Sequence, residues 1–463
     1  MLHVCNRVPG TTRPPESEPG TQGASATEPD LLGEEPRRSP GPREPGAMLC
    51  EPGRAVPSRD IGARPSVPLG DVLLSSRGPF TSVLGVSVVF LATSLVLVSV
   101  WLGYPALVGL CARWLRHRRE PERRVDWTPT VTVVIATIDE APLVRRRVEN
   151  VLEAEYPADR LDVVVGADRS VTWRPEEVSV PGGRVTVVPG DPPGGKAANL
   201  NAAVRAARGE VLVLTDSAQR FESDTIARIV AALGAVTPGR PPLGAVSGAL
   251  QTGGDAGGRT LADGYWQLEK WLRRVEADVH SAVGVTGAIY AMRRADWEPL
   301  PPGLILDDVY VPMRLVLRGR RIGFEPAARA HDDRRFTPAR ELQRKARTLT
   351  GVLQLCAWLP DVLVPGRNPI WAQFVFHKLL RFATPYLVLL AAISGGAVLG
   401  QGLLAHLAPA ELALVVAGAL ASGGLLLAWR PVRAALQMGV AMQVAVVRAT
   451  LNGLRGEWDV WSR

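Results

Sequence analysis

The chain has 463 residues, of which 46% are apolar, and it carries 53 Lys+Arg against 45 Asp+Glu. This length allows two or three structural units with a sizeable core. The four cysteines are far apart and show no CxxC spacing, which excludes a disulfide-stapled secreted module and predicts reduced thiols. Only four basic residues are lysines, and the arginines are spread along the chain, which argues against nucleic-acid binding.

Residues 1–80 contain 14 prolines and 10 glycines, with charges of both signs and no apolar periodicity. Such a segment cannot bury enough apolar surface to offset the entropy lost on ordering. The sequence therefore predicts a disordered tail.

Three long stretches of the chain lack Asp, Glu, Lys and Arg. They cover residues 78–112, 382–410 and 412–429, and the last two are separated by Glu411. The first predicts a transmembrane helix over 81–112, and the other two predict a transmembrane hairpin over 382–429. A fourth stretch, 434–447, is only 14 residues long. For residues 434–463 we therefore expect an interfacial helix and a C-terminal tail, with a fourth span as the alternative.

Arginines are concentrated directly after the first predicted span, at positions 113, 116, 118, 119, 123 and 124. Positively charged flanks stay on the cytoplasmic side. We therefore expect a multi-pass protein of the cell (plasma or inner) membrane, with the middle of the chain in the cytoplasm.

Residues 129–338 alternate short Val-rich runs with helical patterns. The runs are 131–136, 161–166, 184–188 and 211–215, and helices are predicted over 141–155 and 197–207. Such alternation indicates an α/β domain whose parallel sheet is covered on both faces. Ligands of these sheets bind at the carboxyl ends of the strands.

Polar residues follow each of the four predicted strands. They are Thr137, Asp139 and Glu140, then Asp168, then Lys196 after two glycines, and finally Asp216. Asp, Ser and Gly also serve simply as caps and turns after strands, but four successive cases favour a binding site. The set suits a nucleotide diphosphate: carboxylates for base or ribose, glycine and lysine for phosphate, and an aspartate for a hard cation.

These motifs resemble those of a known family. Residues 133–140 are similar to its opening strand and Asn-Glu turn, with Asp139 at the Asn position, and residues 168–170 resemble its Asp-Gly-Ser. Residues 194–201 match its Gly-Gly-Lys-x-x-x-Leu-Asn. The family is the family 2 glycosyltransferases of GT-A fold, specifically the membrane polysaccharide synthases related to poly-N-acetylglucosamine, hyaluronan and cellulose synthases.

The resemblance implies a cytoplasmic α/β GT-A (Rossmann-like) domain with flanking transmembrane helices. It also implies inverting transfer of a sugar from a nucleotide-sugar, most simply a UDP-sugar, to a growing polysaccharide. The implied donor-binding residues are Thr137, Asp139, Glu140, Asp168, Lys196 and Asp216.

The family's Asp-x-Asp motif is incomplete in this chain, because Ala218 replaces the second aspartate. The resemblance implies that Asp216 contacts a divalent cation, Mg²⁺ or Mn²⁺. A cation held by one carboxylate and phosphate oxygens is weakly fixed. His331, beside Asp332 and Asp333 after the last strand, is a candidate second ligand, although a lone histidine in a polar turn is more often solvated.

Two adjacent carboxylates resemble the motif that supplies the family's catalytic base. By position the base is Asp308, next to Asp307. Inverting transfer needs one carboxylate to take the acceptor hydroxyl proton. The alternative is that one of the pair caps a helix over 311–318. Gly287 lies in a segment that resembles the acceptor-side loop.

Residues 341–351 resemble the family's Gln-x-x-Arg-Trp segment. Aligned on Arg347, the glutamine position is Arg344 and the tryptophan position is Thr348. The resemblance implies an interfacial amphipathic segment over 339–375, with Arg347 at the diphosphate and Arg344 near the acceptor. The alternative is a basic helix face that contacts anionic lipid headgroups.

Two other functions remain open from the sequence. One is transfer of a single sugar to a membrane lipid such as polyprenyl phosphate or a glycolipid, which the incomplete Gln-x-x-Arg-Trp segment favours. The other is a non-catalytic, nucleotide-sugar-binding membrane subunit, suggested by Ala218. Three spans are few for a polymer pore, so a homo-oligomer or a partner is a further expectation.

Overall fold

The computed structural model describes residues 83–116, 127–252, 261–334 and 338–459. The tail predicted over residues 1–80 lies outside the described residues.

An eight-stranded sheet forms the centre of the domain that begins after the first apolar helix. Its strands in chain order are β1 Val131–Thr137, β2 Leu161–Ala167, β3 Val185–Pro189, β4 Val211–Asp216, β5 Arg220–Phe221, β6 Leu243–Thr252, β7 Tyr290–Arg293 and β8 Arg321–Asp332. Their spatial order is β3-β2-β1-β4-β7-β6-β8-β5. The first four strands pair in parallel, as the sequence predicts.

The whole sheet is mixed rather than parallel. Strand β7 runs antiparallel to both β4 and β6, and β5 runs antiparallel to β8. Neither β5 nor β7 contains the Val-rich run that marks the first four strands, and for this reason the sequence reading had no strand at either place.

Helices cover both faces of the sheet. They are α3 Ala141–Leu152, α4 Pro175–Val178, α5 Lys196–Ala206, α6 Thr225–Gly234, α7 Leu261–Val279, α8 Asp307–Leu317 and α9 Pro338–Trp358. Alternate strand residues point to opposite faces: Val134 and Leu212 pack in the core with α5 and α8, whereas Val133 and Val213 pack with α3 and α6. Burial on both faces explains why these strands are continuously apolar.

The apolar stretches form long helices. The first contains α1 Val83–Val98, a π-helical turn and α2 Tyr104–Arg116; the second contains α10 Trp371–Phe374, a π-helical turn and α11 Leu380–His406; then follow α12 Pro409–Ala428 and α13 Arg430–Arg455. Three of these segments are long and apolar enough to cross a membrane: Leu84–Arg116, Trp371–His406 and Pro409–Ala428. Helix α13 is not among them, and its interfacial position stays a prediction.

A buried polar network joins helix α7 to the first two apolar segments. Glu276 accepts a hydrogen bond from the Tyr104 hydroxyl at 2.5 Å and lies 2.8 Å from Nδ1 of His377. The other ring nitrogen of His377 lies 2.7 Å from Glu269, which also accepts a hydrogen bond from Arg381 at 2.9 Å. Buried charges are stable in a fold only when they are paired in this way.

Candidate active site

The register of the sheet aligns the ends of β1, β2 and β4. Ala136 lies opposite both Gly166 and Asp216. The loops that follow these strands therefore start at one level, which is why Asp139, Asp168 and Asp216 share one rim of the sheet.

The loop after β1 is tied to the loops after β2 and β4. The backbone N–H of Asp139 donates to Thr137 Oγ1 at 2.9 Å, and the Ser217 hydroxyl donates to the Asp139 carboxylate. Trp173 Nε1 donates to the Asp139 carbonyl at 2.8 Å. Thr137 and Asp139 thus lie at the predicted site, whereas the neighbouring Glu140 is exposed at the start of α3.

Asp168 organises the turn that carries the glycines. Its carboxylate accepts hydrogen bonds from the Ser170 hydroxyl at 2.7 Å and from the Gly195 backbone N–H at 2.9 Å. Burial alone would raise the pKa of Asp168, but the hydrogen bonds from Gly195 and Ser170 outweigh it and lower the pKa. The carboxylate is therefore ionised at neutral pH, and it borders a cavity of about 490 Å³ together with Arg169 and Trp173.

Glycine is required where the chain enters α5. Gly194 and Gly195 have φ values of 100° and 89°, in the region that favours glycine. Lys196 is the first residue of α5, so its side chain and the free backbone N–H groups of the helix start lie together. This arrangement is the one that anions prefer.

Lys196 bridges two of the predicted carboxylates. Its Nζ lies 3.0 Å from Asp216 Oδ1 and 3.2 Å from Asp307 Oδ1. Burial alone would lower the pKa of Lys196, but Asp216, Asp307 and Asp308 outweigh it and raise the pKa. A Cβ at Gly287 would lie 3.4 Å from Lys196 Nζ and 3.8 Å from Asp308 Cβ. The lack of a side chain at this position therefore leaves space beside the lysine ammonium.

The two adjacent aspartates open helix α8. The N-cap is Leu306, and both carboxylates lie in the first turn. The alternative that one of them caps the helix is therefore wrong. The helix through residues 311–318 begins earlier, at Asp307, and takes both acids into its favourable N-terminal field.

Asp308 has the properties of a proton acceptor. Its Oδ1 is buried and has no hydrogen-bond partner among the described residues. Burial raises the pKa of Asp308, and the neighbouring Asp307 raises it further, against the opposing charge of Lys196. A carboxylate with a raised pKa and an open oxygen suits general-base chemistry near neutral pH.

Helix α9 brings Arg347 to the same group of carboxylates. Burial lowers the pKa of the Arg347 guanidinium, and the negative charge of Asp308 opposes that shift. Arg344, one turn earlier, places its guanidinium 6.0 Å from the ring centroid of Trp266 on α7. The roles of Arg347 at the diphosphate and Arg344 near the acceptor stay predictions.

His331 lies elsewhere than predicted. It belongs to strand β8, opposite Arg220 of β5, rather than to a turn after the last strand. Its Nε2 lies 3.0 Å from Glu222 Oε1. Within the described ranges, no group of three or more His, Cys, Asp or Glu side chains is arranged to hold a metal ion.

The comparison with family models decides the identity of the domain. Residues 129–351 match the model described as "Glycosyltransferase like family 2". This domain belongs to the family 2 glycosyltransferases. The predicted GT-A fold, with helices suited to flank it in a membrane, is confirmed. The family match also supports a transferase enzyme, as the sequence predicts. No curated protein matches the sequence.

A solved structure shows the same fold. A mannosyltransferase from Pyrobaculum calidifontis, in complex with GDP-Man and Mn²⁺, is 24% identical, with a TM-score of 0.60 over 80% of this chain and 99% of that one. A glucosyl-3-phosphoglycerate synthase from Mycobacterium tuberculosis is 17% identical, with a TM-score of 0.33 over 50% of this chain and 78% of that one.

One residue next to the site, Arg147, was not predicted from the sequence of this glycosyltransferase. Arg147 was hidden in a run of three arginines, although its helical phase with Val144, Val148 and Val151 was a readable signal of burial. Its side chain is 2% exposed. Its guanidinium donates to Thr215 at 3.0 Å, directly beside Asp216.

Proposed function

We propose that this glycosyltransferase is a membrane-bound inverting enzyme that transfers a sugar from a nucleotide-sugar, most simply a UDP-sugar, to a growing polysaccharide. The observation that carries the proposal is the cluster in which Lys196 bridges Asp216 and Asp307, beside the open oxygen of Asp308. Helix α9 leads from this cluster to the second apolar segment. We therefore expect the donor site to lie next to the membrane surface, on the cytoplasmic side that the arginine pattern predicts.

Each predicted residue has a role in a single displacement. Asp308 removes the acceptor hydroxyl proton while the anomeric carbon passes from the diphosphate to the acceptor oxygen, and Arg347 and Lys196 stabilise the departing diphosphate. Asp139, Asp168 and Thr137 hold the nucleoside part, with Glu140 at its outer rim. Adjacent carboxylates such as Asp307 and Asp308 do not flank a sugar from two sides, which disfavours a glycosidase mechanism.

The residues present do not form a divalent-cation site by themselves. The Mn²⁺ in the related mannosyltransferase structure supports a divalent cation for this enzyme too. However, Asp216 is paired with Lys196, position 218 is alanine, and His331 is paired with Glu222. A hard cation needs several oxygen ligands.

A lipid acceptor is the second candidate. Three of the described segments are long and apolar enough to cross a membrane, which is few to enclose a polymer path. Transfer of one sugar to a polyprenyl phosphate or a glycolipid needs no such path. A homo-oligomer would supply one for a polysaccharide.

The test is a transfer assay on the full chain in detergent. Radiolabelled UDP-sugars and GDP-sugars are supplied with Mg²⁺ or Mn²⁺, and products are divided into lipid-extractable and high-molecular-weight fractions. Label in polymer supports the proposal, and label in lipid moves the second candidate ahead.

Two Asp→Asn variants test the assignment of the base, one at the proposed base and one as a matched control. Asp308→Asn should reduce transfer by about 10²–10⁴-fold, the usual loss of a general base. Asp159→Asn, whose side chain is 76% exposed in a turn, should leave transfer unchanged. Full activity of Asp308→Asn would show that another group is the base.

A further inference from the structure

The surroundings of Asp216 carry an inference about how the donor binds, which rests on the proposed function. We propose that this enzyme holds the nucleotide diphosphate through Lys196, with the buried Arg147 adding its positive charge from behind Asp216, so that donor binding does not require a divalent cation. Any cation would then act after the donor is bound rather than as its anchor.

The carboxylate that would anchor a cation is already neutralised. The Lys196 ammonium lies between Asp216 and Asp307, 3.0 Å and 3.2 Å from their nearest oxygens. A lysine ammonium acts as a compact point charge toward phosphate. The glycine at 287 leaves one side of this ammonium uncovered by a side chain, so a phosphate oxygen can approach it.

The other candidate ligands near this strand end are engaged elsewhere. His331 faces Glu222 at 3.0 Å, and Asp332 accepts hydrogen bonds from Arg334 at 2.7 Å and from Gln219 at 3.0 Å. Ala218 offers only a methyl group. A cation at Asp216 would therefore have to displace Lys196, and neither His331 nor Asp332 is available to complete its ligand set.

Arg147 adds a fixed positive charge behind Asp216. Its guanidinium lies 3.7 Å from the Phe221 ring centroid and donates to Thr215 at 3.0 Å and to Asn150 at 2.6 Å. Burial lowers the pKa of Arg147 to about 9, against the opposing charge of Asp216, so the group stays protonated at neutral pH. A buried charge acts through a low dielectric, repelling a metal ion and attracting a phosphate.

The residue at position 218 affects the charge at this point. An aspartate there would add one negative charge, which a bound divalent ion would offset. Ala218 adds no charge, so the positive charges of Lys196 and Arg147 act on an incoming diphosphate without that additional carboxylate.

The test measures binding rather than turnover. Isothermal titration of UDP and GDP into the detergent-solubilised full chain is run in EDTA and in Mn²⁺. For the natural protein we expect the Kd of the bound nucleotide to differ by less than about threefold between EDTA and Mn²⁺. This difference is smaller than the tenfold change that about 1.4 kcal/mol of binding free energy would produce. Arg147→Met should weaken binding in EDTA by about tenfold or more.

A substitution at position 218 should make nucleotide binding depend on Mn²⁺. Ala218→Asp adds a charge that repels the diphosphate in EDTA and recruits Mn²⁺, so its affinity should fall by about tenfold in EDTA and recover with Mn²⁺. Ala218→Asn is the matched control, since it has the same shape without the charge, and should behave like the natural protein.

The outcomes separate this inference from the proposed function. Nucleotide binding by the natural protein only when Mn²⁺ is present would overturn the inference and leave the function standing. Equal metal dependence of the Asn and Asp variants would also overturn it, since charge would not be the cause. No binding of either nucleotide under both conditions would reject the proposed function as well.

Discussion

At the scale of single residues, the neighbouring acids Asp307 and Asp308 determine how activity depends on pH. The base must be deprotonated to act, so transfer is lost as pH falls through the pKa of Asp308. Because burial and Asp307 raise that pKa, the loss should occur at higher pH than for an ordinary aspartate.

The Asp307→Asn variant tests this relation. Removing the neighbouring charge takes away one cause of the raised pKa, so the acidic limb of the kcat/KM profile should move to lower pH. The profile is measured for both proteins at saturating cation. An acidic limb that stays in place would mean that Asp308 is not the titrating group.

The sequence predicted much of the site at this scale, because strand ends are recognisable. The sequence singles out Asp216, Lys196 and Asp307. In the structure, Lys196 Nζ lies within 3.2 Å of a carboxylate oxygen of each aspartate. The pairing itself was not predictable, since it depends on how α8 meets α5. His331 was misplaced because the polar end of β8 reads as a turn.

At the scale of elements, the segment between β7 and α8 is held by side chains from other helices. Asn201 of α5 exchanges two hydrogen bonds with the backbone of Leu300, at 2.9 and 2.8 Å. Gln354 of α9 accepts from the Ile305 N–H and donates to the Gly303 carbonyl, both at 2.9 Å. These bonds fix the start of α8, where the proposed base Asp308 lies.

Gln354→Leu should therefore lower kcat with little change in nucleotide affinity. The substitution leaves the buried N–H of Ile305 and the carbonyl of Gly303 without their partner. A shift of about 1 Å at the reacting groups costs on the order of 10²-fold in rate. Steady-state kinetics and nucleotide titration separate the two effects. Gln401→Leu, on the exposed face of α11, is the control. An equal loss of nucleotide affinity would contradict a positioning role.

The network around Glu276 should dominate the stability of the junction between α7 and the apolar segments. Glu276→Ala leaves Tyr104 and His377 without their shared partner, and breaking such a buried group costs about 3–5 kcal/mol of unfolding free energy. Glu149→Ala, which removes an exposed pair with Arg145, should cost about 0.3–0.5 kcal/mol. Thermal unfolding in detergent measures both, and similar losses would refute the network's role.

The fold itself was predictable where one pattern dominated. The four Val-rich runs and helices α3 and α5 were located to within a few residues, since burial on both faces leaves a continuous apolar signal. The antiparallel strands β5 and β7 were not predicted, because strands of two and four residues are too short to show an alternation of apolar and polar residues. Their position depends on pairing with distant strands.

At the scale of the whole molecule, the arginine pattern predicts which side of the membrane each part occupies. The turn between α11 and α12 should face outward and the catalytic domain inward. A membrane-impermeant maleimide should label Ala408→Cys in intact cells, in a chain whose natural cysteines are replaced by serine. Arg208→Cys, exposed after α5, should react only after the membrane is opened. The reverse pattern would invert the orientation.

The contacts of Glu269 and Glu276 have a practical consequence for preparing the enzyme. Both acids lie on α7, within the matched catalytic segment 129–351, yet their partners Tyr104, His377 and Arg381 lie outside it. In a fragment limited to that segment, Glu276 would lose Tyr104 and His377, Glu269 would keep only Arg273 of these ion pairs, and an apolar surface would be uncovered. The catalytic half therefore cannot be excised as a soluble reagent, and the enzyme has to be purified, stored and engineered together with its membrane helices.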